Sequence, residues 1–264
     1  MKNKSKIFNK ICLSIIIVNY KANRYLKKCL QSIGKNNHWE TIVVDNSQNN
    51  IGYAGGCNLG AKKARGKYFL FLNSDTILLG ESLNMMVNFF EKNNEIGILG
   101  PRIYKNRQKE KQLSFCRFPS LWESVFVYSP LKQLGFAEPI WNNFIYQNRL
   151  NLDQELEVDA VSGAALMIER DVFFKVGGFD ENFFLYFEDN DLCRRVQKAG
   201  KKIVFFPKAE IIHFGGKSSF DLDKVNVLFK KSRYYFFCKY NSFIFAAIAE
   251  LIIRFLEEIA RRIR

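Results

Sequence analysis

Three apolar runs punctuate the first third of the chain, at residues 13–18 (LSIIIV), 41–44 (TIVV) and 68–72 (YFLFL). Each is rich in β-branched or aromatic residues and shows no alternation of apolar and polar positions, the pattern of parallel strands covered by helices on both faces. After the first run, Tyr25/Leu26, Cys29/Leu30 and Ile33 recur at helical spacing and stop at Gly34, and a second helix is expected from near Gly56 to Gly66. A third, about residues 81–92, carries acid in its first turn and Lys in its last, matching the helix dipole. Strand and helix in alternation give an α/β fold, whose functional loops gather at the carboxyl ends of the strands.

The period is lost over residues 105–157, where charged residues mix with Phe115, Phe118, Trp122, Phe126, Trp141, Phe144 and Tyr146. That composition suits a substrate-facing insertion or a partner surface. Regularity returns with a strand over residues 158–169, a short helix over 171–176 ended by Gly177-Gly178, a helix running to Ala199 and capped by Gly200, and a strand over 202–206 ended by Pro207. Residues 1–222 read as one domain, with 105–157 inserted in it, and residues 223–264 as a helical tail. Over residues 243–264, Phe245, Ile248, Ile252, Phe255 and Ile259 share one helical face, and Glu250/Arg254, Glu257/Arg261 and Glu258/Arg262 stand in the favourable i,i+4 order.

Composition narrows the class. At 264 residues with 48% hydrophobic content and 26 Phe, the chain can bury a real core. Its six cysteines are dispersed, with no C-x-x-C pair, and read as small buried hydrophobes of a reducing compartment. Lys2, Lys4, Lys6 and Lys10 precede the first apolar run, but that run is short and lacks a small-residue cleavage site, so it is read as a strand and not as a signal peptide. The net charge of +14 calls for an electronegative partner: nucleic acid, anionic lipid or a phosphorylated substrate. Residues 223–264 hold nine Lys/Arg against four Asp/Glu, and their amphipathic pattern suits an anionic membrane surface, with a homodimer helix as the alternative. The apolar run at 243–249 is too short to span a bilayer.

Candidate chemistry lies where polar residues end apolar runs. Asn73-Ser74-Asp75-Thr76 follows the run 68–72, a poor place for stability and a good one for holding a metal beside a phosphate, although the same residues favour turns. Asp45 closes the run 41–44 and can accept hydrogen bonds from a base or ribose, or form an Asx turn. The segment Asn50 to Gly60 is glycine-rich, so its backbone N–H groups can approach a diphosphate. Because these glycines follow the acid rather than the first strand, their order argues against an NAD fingerprint. Glu188-Asp189 lies behind the aromatic run 183–187, where repulsion and desolvation raise carboxyl pKa values and favour a general base; helix capping is the other reading. His213 stands beside Phe214-Gly215-Gly216-Lys217-Ser218 and is either a satisfied polar residue or a metal or phosphate contact.

Taken in order, Ile16-Ile17-Val18-Asn19-Tyr20, Val44-Asp45-Asn46-Ser47, the 50–60 segment, Leu72-Asn73-Ser74-Asp75, Ser162-Gly163, Gly178-Phe179-Asp180, Glu188-Asp189-Asn190-Asp191 and His213 resemble the family 2 inverting glycosyltransferases of the GT-A fold, and within them the rhamnosyltransferase-like enzymes of bacterial polysaccharide synthesis. The resemblance covers residues 12–219, loosely over 105–157. It implies a Rossmann-like mixed sheet flanked by helices and a nucleotide-diphosphate sugar as donor, bound by Asn19, Tyr20, Asp45, Asn50, Gly52, Gly55, Asn58, Asn73 and Ser74. It further implies Mg2+ or Mn2+ held by Asp75 and His213, and Asp189 as the catalytic base with Glu188 beside it. The first acid of the family's D-x-D motif is replaced here by Asn73, a weaker ligand. The acceptor would be a saccharide or a lipid-linked saccharide, and the enzyme would sit peripherally on the cytoplasmic face of the cell membrane. A nucleotide-sugar-binding pseudoenzyme is the alternative; a nucleic-acid-binding protein leaves both acidic clusters unexplained.

Overall fold

Strand alternation sorts the core into two layers. In the computed structural model, which describes residues 11–146, 152–216 and 221–263, Leu13, Ile15 and Ile17 of β1 (Leu13–Asn19) face one layer and Ile16 and Val18 the other. The first layer packs on α1 (Asn23–Ile33) and α3 (Ser82–Lys92); the second on α2 (Gly52–Lys63), α6 (Arg170–Lys175) and α7 (Glu188–Lys198). Lys2, Lys4, Lys6, Lys10, Lys217 and Ser218 lie outside the described residues.

Among those residues the sheet has eight strands. β2 (Trp39–Asp45), β1 and β3 (Tyr68–Leu72) run parallel, as expected from their composition. β9 (Ala165–Glu169) lies antiparallel between β3 and β5 (Ile96–Tyr104), and β10 (Lys202–His213) runs parallel to β5 and antiparallel to the edge strand β4 (Thr76–Leu79). The carboxyl ends of β1, β2, β3, β5 and β10 therefore share one edge of the sheet. That edge carries Asn19, Asp45, Asn73 and His213.

Several expected elements differ. β2 is an edge strand, half covered: Val43 is 40% exposed. The glycine-rich segment is not a loop before a helix, because α2 already begins at Gly52. Its glycines let the helix lie against the sheet: a Cβ on Gly56 would meet Val18 at 2.8 Å, and one on Gly60 would meet Ile16 at 2.4 Å. Glu81 is the residue before α3 and not in its first turn. The stretch 158–169 is broken into β8 (Ala160–Val161) and β9 by the turn Ser162–Ala164. β10 does not stop at Pro207 but runs on to His213, since a bulge between Phe206 and Glu210 spares the proline any ladder hydrogen bond.

Residues 105–157 start as a hairpin, with Lys105 N–H donating to Glu110 O, and continue through β6 (Phe115–Cys116), α4 (Leu121–Val127), α5 (Glu138–Phe144) and β7 (Leu156–Glu157). A Ser120/Glu123 capping box starts α4. α4 packs with α8 (Leu222–Tyr240) and α9 (Phe243–Ile263) around a third core of Val125, Phe183, Phe187, Phe236, Ala246, Ala249 and Ile253. The buried face of α9 is thus its alanine face, and Phe245, Ile248, Phe255 and Ile259 of the expected apolar stripe are exposed. Glu250/Arg254 and Glu258/Arg262 pair as expected, whereas Glu257 turns to Lys230 and Arg233 and leaves Arg261 to Glu258.

The helix–sheet contact at Gly60 yields a test. Gly60→Ala is expected to destabilise the protein by about 1–3 kcal/mol in urea titration, because fully buried Ile16 has nowhere to move. Leu59→Ala, one residue away at a 39% exposed position, serves as the control; equal costs at both sites would contradict the close-packing account.

Candidate active site

Strand pairing assembles the first cluster from distant segments. β10 pairs with β4 so that His213 stands opposite Thr76, the residue after Asp75, and Phe214 N–H donates to Asp75 O at 3.1 Å. The result is His213 Nε2 at 3.3 Å from Asp75 Oδ1 and 3.3 Å from Asn73 Nδ2. The Asn73–Thr76 turn is tied locally: Thr76 Oγ1 donates to Asn73 O at 2.7 Å, and Cys29 Sγ lies 3.5 Å from Thr76 Oγ1. Both readings of the tetrad hold together here, for it is a turn and it presents a carboxylate beside an imidazole. On the far side of the ring, Gln112 Nε2 lies 3.1 Å from His213 Nδ1.

The second cluster starts α7. Glu188 is 5% exposed, and its Oε2 is buried without a hydrogen-bond partner. Burial, and next the neighbouring charge of Asp189, push its carboxyl well above the ordinary value of 4.5. Asp189 is half-buried, and burial likewise raises its pKa. Opposing that shift, Gly163 N–H donates to Oδ2 at 2.7 Å, while Asn190 donates to Oδ1 from its backbone at 2.8 Å and its side chain at 3.0 Å. Neither Asp189 nor Asn190 caps the helix, because α7 begins one residue earlier, after Phe187. Asp189 is thus a hydrogen-bonded carboxylate with reduced solvation, and Glu188 a buried acid.

The two clusters meet through one turn. Gly163 N–H holds Asp189, and Ala164 O accepts Asn73 N–H at 3.0 Å. Tyr53 OH donates to Gly163 O at 3.1 Å and lines the cleft in front of the Asp75–His213 pair. That cleft has a volume of about 240 Å3 and also takes in Tyr20, Asn46, Asn50, Asn73 and Ser74.

Other expected donor residues lie elsewhere. Asp45 is exposed beside Asn46, its Oδ1 accepting Ser47 N–H at 2.9 Å in an Asx turn that lowers its pKa. Asn19 is buried and donates to Asn23 Oδ1. Gly52, Gly55 and Asn58 lie in α2 and do not line the cleft. Gly52, at φ +80°, lets Phe184 O approach to where a Cβ would be 2.6 Å away, Gly55 is buried against Ile51, and Asn58 binds the backbone of Phe179 through both amide atoms. Sequence reasoning missed Asn46, Tyr53, Gln112 and the cleft face of Phe184–Tyr186, since their signal is spatial; only the aromatic run before Glu188 was visible.

α8 and α9 brace the start of α7. Fully buried Asp191 accepts from Tyr240 OH at 2.6 Å, Lys239 Nζ at 2.7 Å and Arg195 Nε at 2.8 Å. Lys239 also reaches Asp180 at 2.6 Å. Arg233, wholly buried, pairs with both oxygens of Glu250 at 2.9 and 3.0 Å.

Comparison with known proteins gives a consistent picture. Residues 46–176 match the family model described as glycosyl transferase family 2, and residues 147–217 the model described as the N-terminal domain of galactosyltransferase. The N-acetylglucosaminyl-diphospho-decaprenol L-rhamnosyltransferase of Mycobacterium tuberculosis is 42% identical over 79 residues, 30% of this chain. The chain spans only 25% of that relative's length. Rhamnosyltransferase WbbL of Escherichia coli K12 is 24% identical over 232 residues, covering 76% of this chain and 82% of that protein. Among solved structures, GalNAc-T7 with UDP, GalNAc and Mn2+ superposes with a TM-score of 0.57 at 16% identity, over 78% of this chain and 44% of that one, a likeness of fold.

The buried acid has a measurable signature. Because the folded-state pKa of Glu188 is raised, the unfolded chain binds fewer protons than the native protein above the ordinary value of 4.5, so this group's contribution to stability declines as pH rises from there toward the raised value. Glu188→Gln is expected to remove that decline, giving a flatter plot of urea midpoint against pH; parallel plots for the two proteins would contradict the burial of a neutral acid.

Proposed function

From the premise that the chain belongs to glycosyl transferase family 2 and carries the GT-A fold, we propose that it is an inverting enzyme. It transfers a sugar, rhamnose first among the candidates, from a nucleotide-diphosphate donor to a saccharide or lipid-linked saccharide in cell-surface polysaccharide synthesis. The observation that carries this reading is the link from Asp189 through Gly163 and Ala164 to Asn73, which ties a desolvated carboxylate, itself not among the residues lining the cleft, to the turn that brings Asp75 into the cleft with His213. The rhamnosyltransferase relatives support the sugar.

In this reading Asp189 takes the proton of the acceptor hydroxyl as its oxygen bonds to the anomeric carbon, and the bond to the diphosphate breaks on the opposite face, the leaving oxygen keeping the electron pair. Gly163 and Asn190 fix the orientation of the carboxylate, and its raised pKa makes it a stronger base than an exposed aspartate. Glu188, buried beside it, is the neighbouring acid. Tyr20, Asn46 and Asn50 line the donor side of the cleft, with Asp45 next to them for the base.

Asp75 and His213 fit a divalent cation. Carboxylate oxygen and imidazole nitrogen suit Mg2+ or Mn2+, and their 3.3 Å separation is near the edge, about 3 Å, of an octahedral ligand set. Among the described residues no group of three His, Cys, Asp or Glu side chains converges, so the donor diphosphate and water would complete the set. A cation bound there supplies positive charge to the departing diphosphate.

The exposed face of α9, including Phe243, Ile244, Leu251 and Phe255 at 65–67% exposure, is assigned in this reading to an anionic membrane surface, where a lipid-linked acceptor resides. Among the described residues no helix is long and apolar enough to cross a membrane. The cytoplasmic face is the proposed location, and nucleic acid has no part in it.

Asp189→Asn is expected to lower transfer from nucleoside-diphosphate rhamnose at least ~100-fold while donor binding stays near wild type; normal turnover would sink the assignment. Leu251→Glu with Phe255→Glu should release the protein from phosphatidylglycerol vesicles without lowering its melting temperature. Unchanged co-sedimentation together with loss of a dimer on gel filtration would favour the homodimer instead.

A further inference from the structure

Tyr53 reaches both segments that fix Asp189. It is the second residue of α2, and its N–H, one of those a helix start leaves without a partner inside the helix, donates to Phe184 O at 2.8 Å. Glycine at position 52 makes room for that carbonyl: with φ at +80°, a Cβ there would lie 2.6 Å from Phe184 O. Asn46 Nδ2 steadies the same corner by donating to Gly52 O at 2.8 Å. Phe184 belongs to the aromatic run that leads into Glu188-Asp189. At the far end of the Tyr53 side chain, the phenol donates to Gly163 O at 3.1 Å. The peptide between Gly163 and Ala164 is the middle of the Ser162–Ala164 turn, and its N–H is held by Ser162 Oγ at 3.3 Å. The peptide before it gives Asp189 the 2.7 Å hydrogen bond, and the one after it accepts from Asn73. Burial above all, with Cys57, Glu188 and Asp189 adding to it, raises the phenol well above its ordinary value of 10.0, so the hydroxyl remains a donor at neutral pH.

We propose that Tyr53 is a positioning residue for sugar transfer: its hydroxyl, through the Gly163 turn, and its backbone N–H, through the 183–187 run, together hold the Asp189 carboxylate where it meets the acceptor hydroxyl. This rests on the reading of Asp189 as the base. The ring of Tyr53 lines the donor cleft, whereas its hydroxyl is engaged by Gly163 O. Loss of the hydroxyl alone therefore loosens the turn and leaves the ring that faces the donor in place. A misplacement of about 1 Å transmitted to a reacting group can cost ~100-fold in rate, so a single hydrogen bond two steps away from the base suffices to be read in turnover.

The test reads both the hydrogen bond and the reaction. Ser162-Gly163 is the one Ser–Gly step in the chain, so cell-free synthesis with carbonyl-13C serine and 15N glycine gives a single amide signal for Gly163. An N–H that donates to a carboxylate is charge-assisted, and its proton is strongly deshielded. Tyr53→Phe is expected to move that proton upfield, in the direction that Asp189→Asn moves it, and to lower kcat with nucleoside-diphosphate rhamnose ~10-fold or more while donor affinity and melting temperature stay near wild type. Added to Asp189→Asn it should lower kcat no further, because both substitutions act through one carboxylate. An unmoved Gly163 proton, an unchanged kcat, a loss that persists in the Asp189→Asn background, or a weakened donor affinity in place of a lowered kcat overturns the inference. A wild type that transfers no sugar would instead overturn the base reading, and the Gly163 signal, which needs no turnover, still decides whether Tyr53 holds the carboxylate.

Discussion

The backbone N–H of Gly163 donates to Asp189 Oδ2 at 2.7 Å, and the carbonyl one residue later accepts the N–H of Asn73 at 3.0 Å. These two bonds leave the same tight turn in opposite directions, so the carboxylate at the start of α7 and the turn bearing Asp75 cannot move independently. Tyr53 clamps the turn from the cleft side through Gly163 O. Position 163 has little tolerance: a Cβ there would lie 3.0 Å from Asp189 Oδ2 and 3.2 Å from its Cβ, pressing on the group that the N–H must hold. The geometry of the whole site follows from this turn. The sheet supplies its rigidity, since β3 and β9 pair from Tyr68↔Glu169 to Leu72↔Ala165, right up to the turn.

The extent to which this was legible in the sequence follows the range of the interactions. Strands such as Leu13–Asn19 and Tyr68–Leu72 declare themselves through residues that are all buried, and α7 through the stop at Ala199-Gly200. The 50–60 glycines misled because glycine serves two ends with one signature: a flexible phosphate loop, or a helix pressed onto a sheet. Nothing local separates them, and only the packing of Ile16 over position 60, which leaves no room for a Cβ, decides. Pro207 misled for the converse reason, since a bulge absorbs a proline that the local rule takes as a strand end. The acidic positions Asp75 and Glu188-Asp189 were visible because charge beside an apolar run is anomalous. Tyr53 and Gln112 were not, because each is an ordinary residue until the fold brings it to Gly163 or His213.

The aromatic run 183–187 is where the remaining stability is invested. Tyr186 and Phe187 both take left-handed backbone, φ +71° and +65°, a conformation costing about 1–3 kcal/mol at each non-glycine residue. It is kept because the rings are gripped from outside their own loop: Phe187 packs on Tyr128, Phe229 and Phe236, and Tyr186 on Phe229. Three of these four contacts come from α8, and Ser232 Oγ adds a hydrogen bond to Leu185 O. α8 in turn depends on α9, whose Glu250 neutralises the buried Arg233; breaking such a pair leaves an uncompensated charge at about 3–5 kcal/mol. The strain that points Asp189 toward Gly163 is therefore held by a core built from the inserted residues around Val125 and the last two helices. The outer face of α9 is exposed, but its inner face is part of what orients the carboxylate, so a disturbance of that helix reaches Asp189 through Arg233, Phe229 and Phe187 without any contact between α9 and the cleft.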